Sequence, residues 1–403
     1  DLHSFPTRRS SDLEMKNVTV NLNEGVADDK KGCVVKGSIF GCNNLESSPL
    51  GSVLVHVYGT QKDGATQIAN TAASGGTAAV ENAKTPGTKD ANGDFVVSSF
   101  DVKAVYGGGN LAAYKPQGPN VTATDYDYAN TTYSAKVIID GCGRTSIGQV
   151  YGGGNAASTP ATEVTVNGTY EIGELFGGGN GKDDITIEGV TKPNPGANVG
   201  YYNYSQYVEK DGKTVVEDMP AYDTKDKRLN SAIQYGSGKA AVNIFGGTVH
   251  RVFGGSNTKG NVRLSAITLL YEAGGCDFCV DEAYGGGKSS PMDAEAKLLM
   301  SCIPGLKEVY GGAQAADVFD DVTVTVTNGT FDRVFGGNNL SGTIRGKITV
   351  NVEESGCRPV IIGELYGGGN QAGYSVYGYN SDGSPIESGT TPLYQDPQVN
   401  VKS

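Results

Sequence analysis

The chain has 403 residues and a formal net charge of -12, and its 60 glycines accompany only 37% hydrophobic residues and no tryptophan. This composition describes many turns around a thin core, with strands rich in Val, Ile and Thr. An acidic surface without a Lys/Arg cluster would repel phosphate, which argues against nucleic-acid binding, and no apolar run is long enough to span a membrane.

The first residues do not resemble protein-coding sequence. Residues 3–13, "HSFPTRRSSDL", resemble a translated sequencing adapter, so we treat residues 1–13 as artefactual and residues 14–403 as one structural unit. We expect both natural termini to be missing. The lack of a leader peptide in this sequence therefore carries no information about location.

The remaining chain repeats a string of one aromatic residue, one to three glycines and usually an asparagine. Tyr151 and Phe176 lie 25 residues apart, and Phe335 and Tyr366 lie 31 apart, which is the unit length of stacked repeat proteins. The aromatic members of the string are Phe40, Tyr106, Tyr151, Phe176, Phe253, Tyr284, Tyr310, Phe335 and Tyr366. The asparagines that close it are Asn44, Asn110, Asn155, Asn180, Asn257, Asn339 and Asn370.

The segment before each string has the alternation of a half-buried strand. In "DVTVTVTNGT", Val322, Val324 and Val326 share one face and the intervening threonines share the other. One such unit cannot bury its apolar face alone, so copies must stack. The predicted fold is all-β: a right-handed parallel β-helix, or β-solenoid, with loop insertions and at most short helices.

Stacking assigns a role to each member of the string. The aromatics would form an internal column, and the asparagines would hydrogen-bond from copy to copy as an amide ladder. The glycines would form a corner that needs positive φ and close backbone approach. Lys288 and Gln314 replace the asparagine in two copies; a glutamine can join an amide ladder, whereas a lysine cannot.

Polar excursions interrupt the repeat. Residues 59–95 have the composition of a long mobile loop, and residues 111–135 and 181–235 are tyrosine-rich insertions. Residues 291–300, "PMDAEAKLLM", predict a short helix because proline and acidic residues stand at its start.

The familiar site patterns are weak, so we predict no catalytic, cofactor or metal residue. Asp183 fits one calcium-binding nonapeptide, but that fold needs tandem copies, and a corner followed by a solvated loop is the simpler interpretation. "GGGKSS" at 285–290 lacks the strand and long helix of a phosphate loop. His56 and His250 lie far apart in the sequence, each at an outward-facing strand position.

Paired carboxylates are the second possibility for chemistry. Adjacent strand residues point to opposite faces, so no acidic doublet forms the pair that glycoside hydrolysis needs. The doublets are Asp28 with Asp29, Asp183 with Asp184, and Asp320 with Asp321.

Five of the seven cysteines recur seven to nine residues before the aromatic of their own copy, which suggests a small buried side chain at a turn. These are Cys33, Cys142, Cys276, Cys302 and Cys357. "CDFC" at 276–279 lacks a second pair at metal-site spacing. If Cys276 and Cys302 occupy neighbouring copies, they would be close enough for a disulfide.

Several strings, among them "VYGGGNAAS", "NPGANVGYY" and "IIGELYGGGNQAGYSVYGY", resemble those of large uncharacterised glycine-rich repeat proteins of gut Bacteroidetes and related anaerobes. The resemblance covers most of residues 14–403. It implies a secreted or cell-surface β-helix segment of a longer chain, and it transfers no catalytic residue.

These observations predict a structural or adhesive segment without catalysis, whose insertions contact glycans or host and cell-surface proteins. The candidate contact residues are Tyr126, Tyr128, Tyr201, Tyr202 and Tyr204. The simpler alternative is that these tyrosines pack the insertions onto the rod. The other class of function is a carbohydrate-active β-helix enzyme, a polysaccharide lyase or hydrolase, which requires carboxylates from different copies to meet in one groove. The oligomeric state is left open.

Overall fold

The computed structural model describes residues 17–26, 32–45, 47–60, 86–116, 131–181, 185–187, 190–192, 196–202, 206–210, 213–217, 233–234, 236–273, 275–374 and 396–402. The adapter-like segment, residues 1–13, lies outside these ranges. Within them strands dominate, and a single 3₁₀ turn at Val97–Ser99 is the one helical element. In this part of the chain, no helix has the length and apolar character needed to cross a bilayer.

Two large sheets contain most of the strands, and every pairing within them is parallel. Sheet 1 has ten strands: Val18–Leu22, Val53–Val57, Ala135–Ile139, Thr162–Val166, Lys239–Ile244, Ser265–Tyr271, Glu295–Ser301, Val322–Val326, Ile348–Glu353 and Gln398–Lys402. Sheet 2 has nine strands: Ser38–Phe40, Val102–Tyr106, Ser146–Tyr151, Glu171–Phe176, Gly247–Phe253, Phe278–Tyr284, Ile303–Tyr310, Gly329–Phe335 and Val360–Tyr366. The prediction of an all-β, parallel architecture is therefore confirmed.

The chain alternates between the sheets, and we call each sheet 1 strand together with the sheet 2 strand that follows it a layer. Ala135–Ile139 pairs with Thr162–Val166 of the next layer in sheet 1, and Ser146–Tyr151 pairs with Glu171–Phe176 in sheet 2. A short third line of parallel bridges joins the layers outside the two sheets, as at Val318 and Ile344. Equivalent residues of successive layers are therefore neighbours.

The core lies between the two sheets, as the valine–threonine alternation predicts. Val322, Val324 and Val326 have no exposed surface, whereas Thr323 and Thr325 are only partly covered. Parallel strands in register bring each buried valine against its equivalents above and below. Burial of these stacked apolar rows is the main stabilising contribution of the fold.

The helix predicted at residues 291–300 is wrong, because Glu295–Ser301 is a strand of sheet 1. Ala296, Leu298 and Met300 are buried while the residues between them are partly exposed, which is the period of a strand. This strand pairs along its length with strands on both sides. Tertiary pairing therefore overrides the helix propensity of Ala, Leu and Met.

The insertions, which were predicted as loops, also contain strands. Within residues 181–235 three antiparallel pairs form: Ile185–Ile187 with Val190–Lys192, Tyr201–Tyr202 with Ile233–Gln234, and Gln206–Lys210 with Lys213–Glu217. The described end of the first insertion continues into residues 86–100, which we call the strap. The strap packs against sheet 2, so this part of the predicted mobile loop is anchored.

Candidate functional site

The nine aromatic residues of the repeated string form one continuous column. Adjacent ring centroids lie 4.7 to 5.0 Å apart, and adjacent rings are within 11° of parallel. Tyr151, Phe176 and Phe253, in the middle of the column, have no exposed surface. The ring spacing equals the separation of paired strands, so parallel register imposes this stacking geometry.

The asparagines form a ladder beside the rings, in two runs. Asn110 donates to Asn44 Oδ1 at 2.7 Å, and the same amide-to-amide bond repeats through Asn155, Asn180 and Asn257. Asn370 donates to Asn339 at 3.0 Å in the second run. Lys288 stands between the runs, and its ammonium turns instead to Glu174 at 2.8 Å.

Hydroxyl groups connect the ring column to the ladder. Tyr151 donates to Asn180 Oδ1 at 3.1 Å and accepts from Asn257 Nδ2 at 3.0 Å, and Asn339 donates to the Tyr284 hydroxyl at 2.9 Å. Burial raises the pKa of the Tyr151 phenol well above its ordinary value. The column therefore stays uncharged, and its polar atoms are satisfied without water.

The glycines of the corner serve close approach and not positive φ, which corrects half of the prediction made for them. Gly152 and Gly153 do not have positive φ. The amide of Gly152 donates to the Phe176 carbonyl, and that of Gly153 donates to the Gly178 carbonyl, both at 3.0 Å. A Cβ at Gly152 would collide with the carbonyl oxygen of Gly177 in the next layer. Backbone contact between layers is what excludes a side chain here.

Ionisable side chains line the outer side of sheet 2, and we call this surface the charged face. Two columns form it: residues of the first are paired in register from layer to layer, and residues of the second each precede a member of the first by one position and include the ion pairs of Asp281 with His250 and Lys307. The first column is Glu174, Arg251, Glu282, Glu308, Arg333 and Glu364, and the second is His250, Asp281, Lys307 and Asp332. Opposite charges alternate over much of both columns, which favours pairing across strands.

The strap covers one end of the charged face. Arg251 contacts Glu174 at 3.3 Å, and both side chains are at least nine-tenths buried. The Arg251 guanidinium also donates to the Gly93 carbonyl, while Lys288 bridges Glu174 and Asp94. The carboxylates of Glu174 and Asp94 balance the cations Arg251 and Lys288, so the strap encloses a neutralised cluster.

His250 lies at the centre of a second group under the strap. Its Nδ1 is 2.8 Å from Asp281, its Nε2 is 3.7 Å from Glu171, and its ring stacks on Phe95 at 5.1 Å. Burial alone would lower the pKa of His250, but hydrogen bonds with Asp281 and Glu171 raise it to about 9. The His250 hydrogen bond is also the main cause that lowers the pKa of Asp281 to about 2. A charged pair is thus the stable state near neutral pH.

Beyond the strap, Glu282 and Glu308 are direct neighbours on paired strands. Each carboxylate accepts a hydrogen bond from a ring of the column, Tyr284 at 2.9 Å and Tyr310 at 2.8 Å. Their side chains are 28% and 23% exposed, so both remain reachable from solvent. Arg251 and Arg333 flank the pair. This is where carboxylates of different layers come together on an open surface.

Most of the tyrosines predicted as ligand contacts lie outside the described residues. Tyr126, Tyr128 and Tyr204 lie outside the described residues, and for Tyr202 only the strand position is described. Tyr201 is 8% exposed, and its hydroxyl donates to Asp293 at 2.6 Å. At Tyr201 the simpler role, packing the insertion onto the sheets, is the one the structure favours.

His56 and one acidic doublet can also be placed. His56 lies on Val53–Val57, partly exposed, with Nε2 2.5 Å from Asp140. Asp320 and Asp321 precede Val322–Val326, while Asp28, Asp29, Asp183 and Asp184 lie outside the described residues. No group of three His, Cys, Asp or Glu residues that could hold a metal ion occurs in the described ranges.

The predicted Cys276–Cys302 disulfide is wrong, since Cys276 bonds Cys142 and Cys302 bonds Cys357. All four lie on connections from sheet 1 to sheet 2. The Cys142–Cys276 bond passes over Gly168, where a side chain would collide with the bridge. Cys302 has φ +56°, and its sulfur approaches Asn328 of the next layer at 3.9 Å. Each disulfide therefore joins layers that are not adjacent, a pairing that depends on loop conformation.

The charged face was not predicted, although the sequence carries a signal for it. A charged residue stands two positions before the aromatic in "GELF", "HRVF", "DEAY", "KEVY", "DRVF" and "GELY". Strand alternation puts this position on the same face as the aromatic and opposite the apolar residue between them, so stacked copies would bring these charges into one column. Comparison with known proteins adds no assignment: no protein-family model, no curated protein and no solved structure matches this chain.

Proposed function

We propose that the chain is a segment of a right-handed parallel β-solenoid with a structural or adhesive role outside the cell or at its surface, as in the glycine-rich repeat proteins that it resembles. The observation that carries the proposal is the unbroken column of nine rings from Phe40 to Tyr366. Such a column places one invariant contact in every layer, which suits a molecule whose task is to provide length and stiffness.

The disulfides support a location outside the cytosol. Two bonds, Cys142–Cys276 and Cys302–Cys357, join layers along the same side of the stack. Bonds of this kind persist in secreted and surface proteins and are rare in reducing compartments. They also restrain separation of the layers, as a stalk under mechanical force would require.

Contact with a ligand is assigned to the insertions. Tyr126 and Tyr128 belong to the tyrosine-rich insertion predicted at residues 111–135. Tyrosine rings of such a segment would stack on sugar rings or pack against a protein. The partner class is therefore a glycan or a host or cell-surface protein.

A glycan array combined with a reducing-sugar release assay tests this function. We expect binding without turnover, and loss of binding in a Tyr126→Ala/Tyr128→Ala variant. Tyr271→Ala is the matched control, because Tyr271 is 40% exposed on sheet 1 and lies outside the insertions. Binding that survives the double substitution would move the contact surface elsewhere.

One observation favours a carbohydrate-active enzyme as the second candidate. Glu282 and Glu308 project from neighbouring strands, and paired strands lie about 4.8 Å apart, close to the separation of the two carboxyl groups in retaining glycosidases. The same release assay decides between the two functions. Sugar release that disappears in both Glu282→Gln and Glu308→Gln would establish catalysis and overturn the purely structural role.

A further inference from the structure

The residue two positions before each ring of the column is related to the kind of ring that follows. Where this residue is glutamate, the ring is a tyrosine in three of four layers, as in Glu308 with Tyr310. Where it is arginine, the ring is a phenylalanine, as in Arg333 with Phe335. The glutamate of the fourth layer, Glu174, has two cations as its partners. The sequence thus places a phenol where a carboxylate can accept its proton.

Tyr284 and Tyr310 are neighbours in the column, and each phenol donates to its own carboxylate. The Tyr284 hydroxyl donates to Glu282 Oε2 at 2.9 Å, and the Tyr310 hydroxyl donates to Glu308 Oε2 at 2.8 Å. The two rings stack with their centroids 4.9 Å apart. Both rings are buried, whereas both carboxylates are partly exposed on the charged face. Two stacked phenols therefore share contact with each other and have separate proton acceptors at the surface.

The ease of removing one electron from a phenol depends on where its proton can go. The radical cation that electron loss alone would form is a far stronger acid than a carboxylic acid, and a buried stack would not solvate it. A carboxylate that already accepts the phenolic hydrogen bond can take the proton as the electron leaves. Burial raises the pKa of Tyr310 to about 12, so this phenol keeps its proton until it is oxidised.

Two other tyrosines of the column have a different acceptor. The hydroxyls of Tyr106 and Tyr151 donate to amide oxygens, those of Asn155 at 3.3 Å and Asn180 at 3.1 Å. An amide oxygen accepts a hydrogen bond but is a much weaker base than a carboxylate. A phenylalanine ring has no such proton to lose. Oxidation is therefore favoured at the buried phenols that donate to carboxylates.

We propose that Tyr284 and Tyr310 form a redox site that takes up oxidising equivalents from one-electron oxidants such as peroxyl radicals. The oxidant gains one electron from a phenol, the phenolic O–H bond breaks, and the proton forms an O–H bond on the paired glutamate. The products are a neutral tyrosyl radical, a glutamic acid and the reduced oxidant. Stacking lets the second phenol reduce the first radical by the same proton-coupled step. The site does not rest on any glycan contact.

Photogenerated ruthenium(III) tris-bipyridine, a one-electron oxidant, tests the site in the full 403-residue chain. EPR of samples frozen after exposed tyrosyl radicals have decayed measures the radical that remains. We expect Tyr284→Phe/Tyr310→Phe, which keeps both rings, to lower this signal at least about tenfold, a preference of about 59 mV for a one-electron couple. Tyr106→Phe/Tyr151→Phe is the matched control, because it removes two phenols from the same column and should retain the signal. Equal signals in the two variants, or no persistent tyrosyl radical in the wild type, would overturn the proposal.

A second double variant tests the transfer of the proton. Glu282→Gln/Glu308→Gln keeps both rings and both phenols and replaces each carboxylate with an amide. We expect its persistent signal to fall to the level of Tyr284→Phe/Tyr310→Phe, and oxidation of the wild type to be slower in deuterium oxide. A signal that survives the glutamine substitutions would show that these carboxylates do not accept the proton, and it would refute the site.

Discussion

Phe176 has an aromatic ring on each face, Tyr151 at 4.9 Å and Phe253 at 4.8 Å, and no exposed surface. Phe176→Ala would leave a cavity that two rigid neighbouring layers cannot fill, so we expect a loss of about 3–5 kcal/mol in the free energy of unfolding. Tyr366→Ala is the control, because Tyr366 has one ring neighbour and is 44% exposed. Denaturant unfolding at low protein concentration measures the free energy of unfolding of both variants. Equal losses would show that burial within the ring column does not contribute the expected stability.

His250 makes stability depend on pH in a defined direction. Its pKa is raised from 6.5 to about 9 by hydrogen bonds with Asp281 and Glu171, despite burial. The stabilising contribution is therefore fully present below pH 6.5 and is lost as the pH rises through about 9. His250→Gln should reduce this alkaline loss, while the wild type shows it. Melting temperatures across that interval, with an NMR titration of the imidazole, check the prediction; identical pH profiles would contradict it.

Single-residue roles could be predicted where one side chain repeats in register. The rings and asparagines could be placed because each recurs with its string and parallel strands leave one arrangement for it. The contacts of Arg251 with Gly93 and of Lys288 with Asp94 could not be predicted, because they involve the strap, residues 86–100. Contacts between a repeat and an insertion have no periodic signal.

At the scale of the strand and its corner, Gly152 tests why the glycines recur. A Cβ there would meet the carbonyl oxygen of Gly177, so Gly152→Ala must push two layers apart and should cost about 1–3 kcal/mol. Gly37→Ala is the matched control, because nothing lies within 4 Å of its added Cβ. Thermal unfolding of the two variants separates steric exclusion from the general effect of replacing a glycine. A stable Gly152→Ala protein would refute the close-contact explanation.

The connections between sheets determine which cysteines remain free. With bonds at Cys142–Cys276 and Cys302–Cys357, a denatured, unreduced chain should show three free thiols, Cys33, Cys42 and Cys279. Peptide mapping identifies the bonds, and Cys142→Ser/Cys276→Ser should lower stability by about 2–5 kcal/mol. Cys33→Ser, at an exposed free thiol, is the control. Seven free thiols, or a bond between Cys276 and Cys302, would contradict the described pairing.

Elements were predictable to the extent that periodicity decided them. Strict alternation of valine and threonine predicts the strand Val322–Val326. Glu295–Ser301 contains helix formers, and it becomes a strand because the strands on either side pair with it in register. The disulfides failed for a related reason: the connections carrying Cys142 and Cys276 reach across two intervening layers. The conformation of these loops decides which cysteines come within disulfide distance, and the spacing of cysteines along the chain does not predict it.

At the scale of the whole molecule, we expect the local stability of a layer to depend on its position along the stack. Among the described residues, interior strands such as Thr162–Val166 and Lys239–Ile244 are paired on both edges, whereas Val18–Leu22 and Gln398–Lys402 are paired on one edge. In a nearly one-dimensional array, opening begins where a layer has a single neighbour. Hydrogen exchange followed by mass spectrometry should therefore show protection that rises from both end strands toward the interior.

The disulfides should modify that gradient in a predictable way. Reduction removes the bonds between Cys142 and Cys276 and between Cys302 and Cys357, so the layers they span should lose protection while Val53–Val57, outside both spans, changes little. That strand is the internal control. Uniform exchange over all layers would show that the chain opens as one cooperative unit, contrary to the independence expected of stacked layers.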